Sequence, residues 1–151
     1  MTTAFFELRT PRDILEKATR DYAKMEAETS TDTIFNFFVT TYHVVDYVKA
    51  LDTVPLSAIE QLYNDPDFKM CQFLCNKGKH IKLRQESLFE AKYEAAIAGG
   101  RLDSFVLGAD VLGGAERFVV LDGGKEVDTV GLGKKLLQKW GAFFTAHGIA
   151  C

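Results

Sequence analysis

The chain has 151 residues, of which 47% are hydrophobic and 26% charged, so its composition is that of a folded globular protein and excludes a disordered or fibrous one. Its 18 lysines and arginines against 21 aspartates and glutamates give a formal net charge of −3, with the basic residues scattered along the chain. A broad nucleic-acid surface is therefore not indicated, although a small site could still contact RNA or DNA. No apolar run is long enough to cross a membrane, and the N-terminal segment lacks the apolar core of a secretory signal.

The first two predicted elements are helices with clear start signals. Thr10 can cap a helix that has Pro11 at its first position and Asp13 in its first turn, and the apolar spacing predicts that this helix covers residues 11–28. The segment Ser30–Asp32 starts a second helix that is apolar on most of its surface. One polar line runs along this second helix: Asn36, Thr40, His43, Asp46 and Tyr47.

Two shorter helices are predicted next, beginning at Pro55 and at Asp65-Pro66. The second of them carries Cys71 and Cys75 in line with an apolar face, and Gly78 is predicted to stop it. The segment CNKGKH, residues 75–80, is then a helix end followed by an extended stretch.

The remainder of the chain is predicted to form a small sheet and a closing helix. Residues 87–98 alternate between apolar and charged side chains, which favours a strand, although the same residues also fit a helix. Asp122-Gly123-Gly124 predicts a hairpin between two alternating segments. A final helix starts near Asp128, carries Trp140 on its apolar face and ends at Gly148. Together with the three to four helices of the N-terminal half, these elements predict an α+β fold in a single domain over 1–151.

The three cysteines bear on the cellular compartment. Cys71 and Cys75 lie four residues apart on one predicted helix, a spacing that places both on one face but too far apart for an easy disulfide. With Cys151 the chain has three cysteines, an odd number. Reduced thiols fit the cytoplasm, which is the predicted location.

Two polar groups are candidates for chemistry. In TTYHVVDYV, His43 and Asp46 are three residues apart on one helix, so they could share a metal ion or form an acid/base pair beside Tyr42. The alternative is a partly buried histidine that a nearby carboxylate satisfies. In CNKGKH, Asn76 and His80 lie where a helix ends, a place at which scaffolds present binding groups.

We predict that His80 lies near the polar line of the second helix and faces His43 or Asp46. The catalytic candidates are then His80, His43, Asp46 and Lys79, and the ligand-binding candidates are Asn76, His80, His43 and Tyr42. The lysines of CNKGKH have a simpler alternative role, because cations near a helix C-terminus complement its dipole.

A metal site is the third arrangement to consider, with Cys71, Cys75, His80 and His43 as four zinc ligands. Their spacing matches no common zinc pattern, and cysteines in line with Phe68 are typical of a core. We therefore predict no metal ion and no cofactor.

Three stretches carry a resemblance to known proteins: FFVTTYHVVDY, CNKGKHIKL and WGAFFTAHGI. They resemble a group of uncharacterised small bacterial and phage proteins in which a Y-H-x-x-D helix, an N-x-x-K-H segment and a W-x-x-F-F helix recur in this order. The resemblance covers residues 33–149, implies a single domain and brings no activity with it.

A more distant similarity is to the HEPN superfamily, whose helical domains often act as metal-independent RNases through an R-x4–6-H motif. In this motif a polar residue commonly follows the arginine. Counting back from His80 places Cys75 at the arginine position and Asn76 at the polar position after it. The arginine is absent, so Lys79 or Arg84 would have to supply the cation that stabilises the charged transition state.

No complete catalytic signature is present, which favours a binding or accessory role over catalysis. The alternatives are a HEPN-like endoribonuclease, or a degenerate relative of one, and a metal-binding protein. No partner follows from the sequence. Self-association is a further alternative, because the chain is rich in phenylalanine and its last helix carries Trp140.

Overall fold

The computed structural model describes residues 4–80, 92–99 and 116–150 of the chain. In chain order the elements are α1 (Pro11–Ala27), α2 (Thr31–Ala50), α3 (Leu56–Asn64), α4 (Pro66–Lys79), β1 (Tyr93–Ala98), β2 (Arg117–Asp122), β3 (Lys125–Asp128) and α5 (Thr129–Ala146). They confirm the predicted α+β class, with a helical N-terminal half, a small antiparallel sheet and a closing helix. Of the helices in these ranges, none is both long enough and apolar enough to cross a membrane.

Helices α1 and α2 begin where the sequence predicts, because each has a reciprocal cap. The Thr10 side chain accepts a hydrogen bond from the backbone N–H of Asp13, whose carboxylate accepts one from the backbone N–H of Thr10 at 2.8 Å. Ser30 and Thr33 exchange the same pair of hydrogen bonds at the start of α2. Each pair satisfies N–H groups that have no partner within the helix.

Helix α2 is the centre of the helical part, since it packs against α1, α4 and α5. Its buried residues are apolar apart from two threonines: Phe37, Phe38, Thr40, Thr41, Val44, Val45 and Val48. Thr40 belongs to the predicted polar line but is buried, and its hydroxyl donates to Asp21 of α1 at 2.9 Å. Lys17 pairs with the same carboxylate oxygen at 2.6 Å. Part of the polar line therefore joins α2 to α1 and is closed to solvent.

Helix α4 begins as predicted, with Asp65 accepting a hydrogen bond from the backbone N–H of Asp67 at 2.8 Å. Lys139 of α5 pairs with both carboxylates, at 2.7 Å from Asp65 and 2.7 Å from Asp67. The start of α4 is thus tied to the middle of α5.

The predicted end of α4 is wrong. The helix continues through Gly78 to Lys79, His80 is its C-cap, and Gly78 is not among the glycines with positive φ. A Cβ atom at Gly78 would lie 2.8 Å from Cδ2 of the Phe35 ring on α2. The glycine therefore leaves room for the Phe35 ring against α4, and it does not stop the helix.

In the sheet, β2 lies between β1 and β3 and pairs antiparallel with both. Gly123 and Gly124 connect β2 to β3 with φ values of 56° and 89°, as a tight hairpin turn requires, which confirms the predicted hairpin. Tyr93–Ala98 forms a strand, so the strand interpretation is confirmed for this part of residues 87–98. Positions 87–91 and the segment SFVLGADVL lie outside the described residues.

Helix α5 starts with Asp128 as its cap and is followed by Gly148 at φ 63°, as predicted. Trp140 is fully buried and packs edge-on against Phe68 of α4, with 5.1 Å between ring centroids. Its indole N–H donates to the backbone carbonyl of Thr41 at 3.2 Å. This bond satisfies the polar atom of a side chain that otherwise belongs to the core.

Gly133 allows α5 to approach α1 and α2 closely. A Cβ atom at this position would lie 2.8 Å from Cε1 of Phe37 and 3.0 Å from the methyl group of Met25, and both side chains are fully buried. Gly141 in the same helix would place a Cβ atom in open space, with nothing within 4 Å.

We predict that Gly133→Ala lowers the free energy of unfolding by about 1–2 kcal/mol, because overpacking a core outweighs the gain in helix propensity. Urea denaturation measures the change. Gly141→Ala is the matched control and is expected to raise stability by about 0.5–1 kcal/mol. Equal stabilisation by both substitutions would contradict the close contact at Gly133.

Candidate functional site

The polar residues of α2 meet the last turn of α4 at one contact. Nζ of Lys79 lies 3.1 Å from Nε2 of His43. His43 is half-buried and Lys79 is exposed, so the contact lies at the edge of the α2–α4 packing. The CNKGKH segment therefore reaches the polar line of α2 through Lys79.

Both ring nitrogens of His43 have partners. Nδ1 lies 2.7 Å from the backbone carbonyl oxygen of Val39, one turn earlier in α2. A carbonyl oxygen only accepts and an ammonium group only donates, so Nδ1 carries the proton and Nε2 accepts from Lys79. The orientation of the His43 ring is thus set by the backbone of its own helix.

Asp46 does not orient His43, as the acid/base hypothesis required. The Asp46 side chain is exposed, and within the described ranges no hydrogen bond or ion pair joins it to His43. Its charge nevertheless acts on its neighbours, since it adds to the effect of burial in raising the pKa of Tyr42 and of Cys75.

Tyr42 is half-buried beside His43, with its ring edge-on to the imidazole at 5.6 Å between centroids. Burial, with smaller contributions from the neighbouring Tyr63 and Cys75, raises the pKa of the Tyr42 phenol to about 12. The phenol keeps its proton at neutral pH. It can donate a hydrogen bond to a ligand but cannot act as a base.

Cys71 and Cys75 are free and fully buried. Burial raises the pKa of the Cys75 thiol to about 11, with Lys79 acting in the opposite direction, and burial also raises the pKa of Cys71 well above its ordinary value. Both groups stay protonated at neutral pH, and a protonated thiol is neither a nucleophile nor a metal ligand. Among the described residues, no three His, Cys, Asp or Glu side chains are grouped as a metal ion would require.

Asn76 and His80 are placed by the end of α4. Asn76 is half-buried, His80 is exposed, and the backbone N–H of His80 donates to the carbonyl oxygen of Asn76 at 2.9 Å. In the parts of the chain that the structure describes, no hydrogen bond or ion pair joins the His80 side chain to His43 or Asp46. The convergence of His80 with these residues stays a prediction.

Sequence reasoning missed a cavity of about 320 Å³ on the other side of the α4 end. Its described walls come from α2, α4, β1, β2 and the first residue of α5, and they are mainly apolar: Ile34, Phe35, Leu74, Ile97, Phe118 and Val119. Thr31, Lys77 and Thr129 supply polar groups. We call it the sheet cavity. CNKGKH contributes to both places, because Lys77 and Gly78 line the sheet cavity while Lys79 contacts His43.

The signal for this cavity was present in the sequence but incomplete. Phe35 widens the apolar side of α2 and Ile97 belongs to the alternating strand, so both could be assigned to the core. In the structure they remain 41% and 40% exposed, and both line the sheet cavity. Only the packing of the helices against the sheet shows that these side chains are left open to solvent.

In comparisons with known proteins, no family model, no curated protein and no solved structure matches the chain. Fold and geometry define its class as an α+β domain in which a polar contact and an apolar cavity share one helix end. The resemblances to the small bacterial and phage proteins and to the HEPN superfamily remain expectations.

We predict that the Cys75 thiol makes stability fall above pH 9. Its pKa is about 11 in the folded chain against an ordinary value of 9.0, so the folded state binds the proton more tightly. Ionisation of the thiol therefore stabilises the unfolded state relative to the folded state. Well below pH 9 the thiol makes its full contribution to the free energy of unfolding. Between pH 8 and 10 about 1 kcal/mol of this free energy should be lost. Urea denaturation at several pH values measures the slope. Cys75→Ala should show a smaller slope, and identical slopes would contradict the assignment.

We also predict that the purified protein carries no stoichiometric transition metal. The two thiols are buried and protonated, so a metal ion would have to displace their protons inside the core. Elemental analysis should detect no bound equivalent, and a chelator should leave the thermal midpoint unchanged. One equivalent per chain that disappears in Cys75→Ser or His80→Ala would establish a metal site instead.

Proposed function

We propose that this protein is a binding domain that takes a small, mainly apolar molecule with an acidic group into the sheet cavity. The observation that carries the proposal is the exposure of Phe35 and Ile97, two large apolar side chains that line the same cavity. Ligand pockets typically have volumes of about 300–1,000 Å³ and are lined mainly by apolar residues with a few polar groups. The sheet cavity fits this description at its smaller end.

The driving force is the removal of apolar surface from water. Covering about 100 Å² of such surface contributes roughly 2.5 kcal/mol. The rim of the sheet cavity offers Phe35 and Ile97, and Leu74 and Phe118 continue the apolar wall. A ligand with an acyl chain or an aromatic body would cover these side chains.

The preference for an acidic group rests on Lys77. Lys77 lines the cavity near the end of α4, within a wall that is mainly apolar. A carboxylate on the ligand would gain a charge-assisted hydrogen bond from it. The aliphatic part of the lysine can pack along the ligand at the same time.

Binding is favoured over catalysis because the polar cluster lacks a reactive group. His43 has both nitrogens occupied, and Tyr42 and Cys75 keep their protons at neutral pH. A HEPN-like RNase would need a cation at position 75, and Cys75 is fully buried there. In this proposal His43, Asp46 and His80 are polar neighbours of the binding site. The free thiols support a cytoplasmic location.

We predict that the protein binds an anilinonaphthalene sulfonate dye, and that decanoate displaces the dye better than decanol does. Fluorescence titration measures both. Lys77→Gln should remove the preference for decanoate, since the preference depends on the charge. Ala95→Leu, which adds side-chain volume on the face of β1 that carries Ile97, should weaken dye binding roughly tenfold, because the cavity is partly filled.

Ala23→Leu is the matched control, because Ala23 is exposed on α1 and does not line the cavity. It should leave dye binding unchanged, and circular dichroism should show that all three variants are folded. Equal dye binding by Ala95→Leu and by the unchanged chain would place the dye elsewhere and refute the proposed site.

A further inference from the structure

A second cavity, of about 680 Å³, lies between the N-terminal segment, α1 and α2. We call it the N-terminal cavity. It differs from the sheet cavity because aromatic, cationic and acidic side chains all line it. The proposed function does not use it, and neither do the polar candidates identified in the sequence.

Its aromatic side consists of Phe5 and Phe6, which are 67% and 78% exposed. Their rings pack edge-on with 4.8 Å between centroids. A tight turn holds them, because the backbone N–H of Leu8 donates to the carbonyl oxygen of Phe5 at 2.9 Å and Nε of Arg9 donates to that of Phe6 at 3.2 Å.

Phe6 adopts φ 52°, a left-handed conformation that costs a residue with a side chain roughly 1–2 kcal/mol. The two hydrogen bonds of the turn hold the backbone in this conformation. The strain is therefore maintained in a segment that leaves two phenyl rings in solvent, where they bury little apolar surface. A flat partner could cover these rings.

The cationic side of the cavity is formed by one face of α1. Three cations and two anions line the cavity, a net charge of +1 on a chain whose net charge is −3. Lys17 is bound to Asp21, whereas the side chains of Arg20 and Lys24 make no hydrogen bond or ion pair with any described residue. These two cations are four residues apart, so they lie side by side on the helix surface. Two adjacent cations match a phosphate dianion better than a single carboxylate.

The acidic side provides acceptors for N–H groups. The Asp21 side chain is only 9% exposed, and both of its hydrogen bonds, from Lys17 and Thr40, end on Oδ2. Oδ1 has no donor among the residues that the structure describes. Asn36 of α2 also lines the cavity and offers an amide that both donates and accepts.

From these three sides we infer that the N-terminal cavity binds a nucleotide. The base would stack on Phe5 or Phe6, its N–H groups would donate to Asp21 or Asn36, and the phosphate would pair with Arg20 and Lys24. An aromatic amino acid also has a ring that could stack and an amine that could donate, as a nucleotide has. It offers only one carboxylate, however, to the two cations Arg20 and Lys24. The nucleotide could be free or could be the phosphorylated end of a single strand, since both present the same chemistry.

Isothermal titration calorimetry at low salt tests the inference with the four nucleoside 5′-monophosphates, their nucleosides, inorganic phosphate and phenylalanine. At least one monophosphate should bind, with its nucleoside and inorganic phosphate each roughly tenfold weaker or more, because each lacks one of the two recognised parts. A 5′-phosphorylated trinucleotide distinguishes a free nucleotide from the phosphorylated end of a single strand. Affinity roughly tenfold above that of the monophosphate identifies a strand end, and equal or lower affinity identifies a free nucleotide.

Arg20→Gln and Phe5→Ala should each weaken binding roughly tenfold, because one removes a charge-assisted hydrogen bond and the other a stacking surface. Both side chains are exposed, so circular dichroism should show folded variants. Lys134→Gln, an exposed cation on α5, is the matched control and should bind normally. The inference is overturned by the absence of binding to any monophosphate, by binding in both Arg20→Gln and Phe5→Ala that is as tight as in the unchanged chain, or by phenylalanine binding as tightly as the nucleotides.

Discussion

The close approach of α4 and α5 to α2 is the constraint on which the rest of the structure depends. At Gly78 and Gly133 a Cβ atom would lie 2.8 Å from Phe35 and Phe37, so two glycines set the distance between α2 and its neighbours. The contact at Gly78 also positions the last turn of α4. That turn carries Lys79 to His43, and it holds Phe35 as a wall of the sheet cavity.

One helix end therefore serves two different environments. Lys77 and Lys79 are two residues apart, and side chains at this spacing point about 200° apart around a helix. Lys77 lines an apolar cavity, whereas Lys79 donates to an imidazole. The polar contact fixes the end of α4 on α2 and leaves the opposite face of the same turn open. This division explains why the most polar segment of the chain adjoins its clearest apolar cavity.

The features that the sequence predicted correctly are those with local causes. The caps at Thr10 and Ser30 and the glycine hairpin depend on residues within one turn of each other. Gly78 was misassigned because the same residue suits a helix end and a helix crossing, and only the position of α2 decides between them. For His43 the sequence suggested Asp46 as a partner, whereas in the structure Nδ1 of His43 contacts the carbonyl oxygen of Val39 in its own helix. The sheet cavity could not be predicted, since it is lined by residues far apart in the chain, from Thr31 to Thr129. The N-terminal cavity is lined by consecutive elements, but it depends on the turn at Phe6, whose positive φ the sequence does not indicate.

The burial of Trp140 gives the protein a built-in optical reporter. It is the only tryptophan in the chain, it is fully buried, and it contacts Phe68, Phe143 and Phe144 while donating to the carbonyl of Thr41. Its fluorescence therefore reports on the junction of α2, α4 and α5 without any added label. Changes confined to the hairpin or to the N-terminal turn should leave this signal unaltered, so the helical core can be followed separately from the two cavities.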